Sequence, residues 1–65
     1  MRDMQVGDFV CNKPHNRSGV IIEHLETILA GDGRVAEQVF LVLYNNPTEL
    51  LKTGDSFLDV VEVAA

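Results

Sequence analysis

The chain has 65 residues, of which ten are acidic and five basic, for a formal charge of -5, and it holds one cysteine. A lone Cys11 excludes an intrachain disulfide, and no run reaches the roughly 18 apolar residues of a membrane-spanning helix. Arg2, Lys13, Arg17, Arg34 and Lys52 are scattered and form none of the concentrated positive charge that phosphate binding needs, so neither nucleic acid nor membrane is expected as a partner.

The opening MRDMQVGD lacks the apolar core of a signal peptide, which, with the single thiol, gives an expectation of a cytoplasmic protein. Val6-Gly7-Asp8-Phe9-Val10-Cys11 reads as a short strand entered through a Gly-Asp turn. A polar loop follows from Asn12 to Ser18, with Pro14 and Gly19 as breakers. Past the ambiguous residues 19–33, Val39-Phe40-Leu41-Val42-Leu43-Tyr44 is the clearest strand, β-branched and aromatic with no charge inside it. Asn45-Asn46-Pro47 turns the chain, residues 48–52 offer a short strand, Thr53-Gly54-Asp55 turns again, and residues 57–63 read as a last strand.

Residues 19–33, GVIIEHLETILAGDG, carry two patterns at once. Ile21, Ile22, Leu25, Ile28 and Leu29 have the spacing of an amphipathic helix, with Ser18 as its N-cap and Gly31 past its end. Against this, Gly19 and the β-branched Val20-Ile21-Ile22 would fill the first helical turn, where they are poor formers. As a hairpin centred on Gly31-Asp32, Ile28 meets Val35, Ile22 meets Leu41 and Val20 meets Leu43. Glu26 would then face Glu37, a like-charge pair that sheets disfavour, so a bulge or fraying is expected there.

Five short strands in about 60 residues are the pattern of an all-β barrel. The residues Val6-Gly7-Asp8-Phe9-Val10, Gly19-Val20-Ile21-Ile22-Glu23, Val39 to Tyr44, and Leu58-Asp59-Val60-Val61-Glu62-Val63 come in the order V-G-D-x-V, G-x-I-x-E, V-x-V-x-aromatic and L-x-x-V. This series resembles the small SH3-like β-barrels that recur in phage and bacterial genomes. The resemblance covers nearly the whole chain and implies one domain over residues 1–65, a five-stranded SH3-like barrel with a long second-third hairpin. An α+β fold with a helix near 19–30 is the alternative. The matching positions are structural, so no functional residue is carried over.

Strand neighbours point to opposite faces, so Phe40, Val42 and Tyr44 share one side of the sheet while Val39, Leu41 and Leu43 share the other. A barrel of this size has one core, and a second apolar row left in water forgoes roughly 1.5–3 kcal/mol per side chain. Either residues 25–35 fold back over that row, or another copy of the chain or a different protein covers it. The expected protein-contact surface is Ile22, Leu25, Ile28, Leu29, Leu41 and Leu43, with Tyr44 as an anchor at its edge.

The chemistry-bearing residues are few. Cys11 and His15 are spaced C-x3-H, with His24 and Asp8 the remaining ligands for a zinc set of three or four, and Cys11 is equally read as a small half-buried hydrophobe. A nucleophilic Cys-His pair needs an orienting third group and an oxyanion site, and nothing marks either. Gly31-Asp32-Gly33-Arg34 fits a turn better than a phosphate cradle, because Asp32 would repel the anion. Asp55, Asp59 and Glu62 read as a solvated strand face. The expectation is a non-enzymatic interaction module, without cofactor or metal, acting as a homo-oligomer or as an accessory or inhibitor docking on a larger protein, and phage-encoded. The rivals are a binder of a nucleotide or metabolite between copies and a minor virion component.

Overall fold

Residues 17–29 form a strand, so the hairpin reading holds and the helical alternative is overturned. The β-branched Val20-Ile21-Ile22 favours extended backbone, and an antiparallel partner supplies the hydrogen bonds that a helix would have made internally. The computed structural model describes residues 4–62. They form five strands, β1 (Phe9–Asn12), β2 (Arg17–Leu29), β3 (Val35–Tyr44), β4 (Glu49–Gly54) and β5 (Leu58–Glu62), in one antiparallel sheet of order β4-β3-β2-β1-β5. The expected last strand ended on Val63, which lies outside the described residues.

The turns follow their residues. Asn16 closes the β1–β2 turn at φ 52, a left-handed position that Asn tolerates. At the β2–β3 tip, Gly33 at φ 84 donates its N–H to the Ala30 carbonyl, and the Ala30 N–H is bonded to the Arg34 carbonyl at 2.8 Å. The loop is therefore Gly31-Asp32-Gly33, one residue longer than the two-residue turn expected, with glycine in its left-handed position.

That extra residue changes the register near the tip. Val20 pairs with Leu43 as expected, but Leu29 pairs with Val35, Ile28 with Glu37 and Glu26 with Val39. Ile22, Leu25 and Ala36 are the extra residues at three bulges, so Ile22 no longer faces Leu41; Glu23 does. The bulges move Glu26 away from Glu37, which removes the like-charge pair foreseen in an unbroken ladder.

One face of the sheet is the core. Val10, Ile21, Phe40, Val42, Tyr44 and Leu58 are buried together, with Met4 packed against them. Gly19 is required where β2 crosses this core. A Cβ there would stand 2.7 Å from the Leu43 carbonyl oxygen and 2.8 Å from a Val42 methyl. The Gly7-Asp8 turn is tied to the same strand, since Gly7 donates to the Ile21 carbonyl and Ile21 donates back to Asp8.

The sheet does not close. β4 and β5 are its two edges and do not pair, so the closed barrel expected from strand count is corrected to an open five-stranded sheet. Two features explain this. The 3-10 turn Asp55–Phe57 carries the chain from β4 to the far side of β1, where Lys13 donates to the Phe57 carbonyl, instead of folding β5 back beside β4. The hairpin also carries residues 22–36, all of them exposed, along and then past the end of the β3–β4 ladder at Val39, as an arm that elongates the molecule to 39 × 23 × 19 Å.

Candidate functional site: the outer face of the sheet

The face opposite the core is apolar too. The registers align β1 Phe9 with β2 Val20, Val20 with β3 Leu43, and Leu43 with β4 Leu50. On the other side Phe9 meets the β5 bulge that holds Val61. An apolar row therefore crosses the sheet from one edge strand to the other. A second line leaves it along the hairpin, where Leu41 and Val39 of β3 stand opposite the bulge pairs Ile22-Glu23 and Leu25-Glu26.

Exposure decides which of these side chains is available. Val20, Val39, Leu41 and Leu43 are half-buried, whereas Ile22 is 39% exposed, Leu25 40%, Ile28 41%, Phe9 52%, Leu50 54% and Val61 69%. Where the row crosses β1 and β2 the surface is hollowed into a groove of about 470 Å³, walled by Phe9, Val20, Leu43 and Val61 and floored by Gly19. Lys52, opposite Leu41 on β4, gives this face a cation across β3 from Glu23 and Glu26 of β2.

Of the residues expected as a contact surface, Ile22, Leu25, Ile28 and Leu29 lie on the arm and Leu41 and Leu43 on the outer face of its root. Tyr44 does not belong with them. It is 1% exposed on the core side, and its hydroxyl lies 3.2 Å from Asn12 Nδ2, which donates to it, and 2.8 Å from Thr53 Oγ1. The Arg17 guanidinium covers its ring at 4.9 Å and is itself bonded to Glu49 and the Pro47 carbonyl, each at 2.7 Å. Tyr44 shares the parity of Phe40 and Val42 and is core for that reason.

Phe9, Leu50 and Val61 stand outside the contact surface expected from the sequence. The signal for Phe9 was present in the adjacent pair Phe9-Val10, since only one of two neighbours in a strand faces a core. Leu50 and Val61 needed the sheet order before they could be placed.

The other candidates separate. Cys11 is half-buried and pairs with Ser18 and Asp59. His24 lies six residues farther along β2, roughly 18–20 Å away at the rise of a strand. Its Nε2 lies 3.0 Å from the Thr27 hydroxyl and 3.1 Å from the Glu26 carbonyl oxygen, and its ring is 5.2 Å from that of Phe40. Cys11 and His24 therefore cannot act as a pair, and His15 sits in the exposed β1–β2 turn. Among the described residues no three His, Cys, Asp or Glu side chains cluster as metal ligands. At the tip Asp32 Oδ1 accepts the Arg34 N–H at 3.0 Å, occupying the donor that a phosphate would use. Asp59 lies 3.6 Å from Lys13. No helix among the described residues is long and apolar enough to cross a membrane.

No protein-family model, curated protein or solved structure matches this chain.

Proposed function

We propose that this protein is a non-enzymatic interaction module on an SH3-like arrangement of strands, of the kind carried by phage and bacterial genomes, which works by docking its outer sheet face on protein. The observation that carries the reading is the apolar row Val61–Phe9–Val20–Leu43–Leu50, which spans five strands and has none of the described residues 4–62 over it. The strand order, with the fifth strand returning beside the first, supports the SH3-like assignment.

The test is capture by the tagged chain from cells that express it, with Phe9→Glu as the control. Phe9 is outside the core, so the variant keeps its β-sheet circular dichroism. A protein held by the native chain and lost by the variant, be it a second copy or another protein, supports docking. Equal recovery by both refutes it.

One observation favours a small-ligand reading. Asn12 Oδ1 is buried with no hydrogen-bond partner, and Asn12 lines a depression of about 270 Å³ with His15, Thr53 and Phe57. A ligand there would donate to Asn12 and raise the melting temperature in a metabolite screen, whereas a surface that meets only protein leaves it unchanged.

A further inference from the structure

We infer that the occupant of the outer face is a second copy of this chain, packed about a two-fold axis so that each arm lies across the other's groove. The inference rests on the docking reading and names its partner. Two apolar features of opposite shape have no cover among the described residues. The groove at Phe9, Val20, Leu43 and Val61 is concave, and the arm bearing Ile22, Leu25 and Ile28 is convex. The arm projects away from the body with every residue from 22 to 36 exposed, so it does not fill the groove of its own chain. Two copies related by a two-fold axis bring each arm to the other's groove, and such an interface is self-complementary by symmetry.

The area is sufficient. If a free side chain of this class presents roughly 150–200 Å², the exposed fractions of the six available residues and their half-buried neighbours amount to about 650 Å² per protomer. A standard interface takes about 800 Å² from each partner, and the polar rim supplies the remainder. Charge permits the pairing, because the face holds Lys52 as well as Glu23 and Glu26 and so offers both signs to its own copy.

The deciding experiment is light scattering coupled to sizing, from micromolar to submillimolar concentration, on the native chain, Ile28→Asp in the arm and Val61→Asp in the groove. Both positions are exposed, so both variants fold, and circular dichroism verifies it. The native chain is expected at twice its formula mass and each variant alone at half that value. Mixing the two variants is expected to restore part of the dimer, because the intact arm of one meets the intact groove of the other. As a second readout, Ile28→Cys and Val61→Cys chains, each also carrying Cys11→Ser, should form a disulfide-linked pair on mixing under mild oxidation. A native chain that is monomeric throughout overturns the inference, as does a dimer unaffected by Ile28→Asp, or one linked 28-to-28 and never 28-to-61. A monomer that still captures another protein through Phe9 overturns this inference alone and leaves the docking reading standing.

Discussion

Removing one oxygen atom from the core tests whether Tyr44 is a structural residue or a binding one. Its hydroxyl is the shared partner of Asn12 Nδ2 and Thr53 Oγ1, and Asn12 Oδ1 has no partner of its own. Tyr44→Phe keeps the ring, its packing and the stacked Arg17, but leaves the buried Asn12 amide with no side-chain bond and the Thr53 hydroxyl without the tyrosine. Each buried polar group so orphaned costs about 1–3 kcal/mol, which puts the variant at about 2–4 kcal/mol. Domains of this length hold about 3–10 kcal/mol in all, so a melting temperature lower by about 10–20 °C is expected. Thr53→Val alone removes one of the two bonds and should cost about half as much. In Tyr44→Phe/Thr53→Val the losses should sum to less than the two singles, since one bond is counted in both. Urea melts followed by far-ultraviolet circular dichroism at several protein concentrations measure these differences. The reasoning is refuted if Tyr44→Phe costs under about 0.5 kcal/mol, well below the cost of one orphaned group. It is refuted also if the loss appears only at concentrations where chains associate, for then the hydroxyl serves an interface.

Three further outcomes follow from the same geometry. Gly19→Ala puts a methyl group 2.7 Å from the Leu43 carbonyl oxygen, and backbone cannot yield as a flexible side chain does; chemical denaturation should register a loss of about 1–3 kcal/mol. Phe40→Ala empties the core and should cost about 3–5 kcal/mol, whereas Ile28→Ala on the arm should cost well under about 1 kcal/mol in dilute solution, and equal losses would show that the arm is packed. Arg17→Lys keeps the charge but gives up the fork that joins Glu49, the Pro47 carbonyl and the Tyr44 ring, and a melt should record a loss of about 1 kcal/mol that high salt only partly hides.

Parity was the most legible property of this sequence. Strand alternation separates Phe40, Val42 and Tyr44 from Val39, Leu41 and Leu43, and burial follows that division. The same rule, applied consistently, would have kept Tyr44 off the contact surface. The tendency of aromatic residues to anchor interfaces gives way to geometry when the residues two and four positions back, Val42 and Phe40, are core. The β2–β3 pairing was legible at the root, where Gly19 must face Tyr44, and illegible at the tip. There one additional loop residue and three bulges reset the partners, and bulges leave almost no mark in a list of side chains.

Closure was the least legible feature, because it depends on where the chain spends its length. A strand count sees thirteen residues in β2 and ten in β3 and credits them all to a barrel wall. In fact the sheet wraps its core with the root of that hairpin, while residues 22–36 run on into solvent. A chain that diverts about a quarter of its residues into an uncovered apolar arm forgoes the burial those residues would have gained within its own core. Natural sequences seldom leave such surface bare, since an exposed, unpaired apolar ribbon invites aggregation. On the proposed reading, a second copy completes this open sheet, with its apolar outer face and long arm. The arm and the face therefore belong to one argument: the residues that fail to close the barrel are the ones available to close an interface.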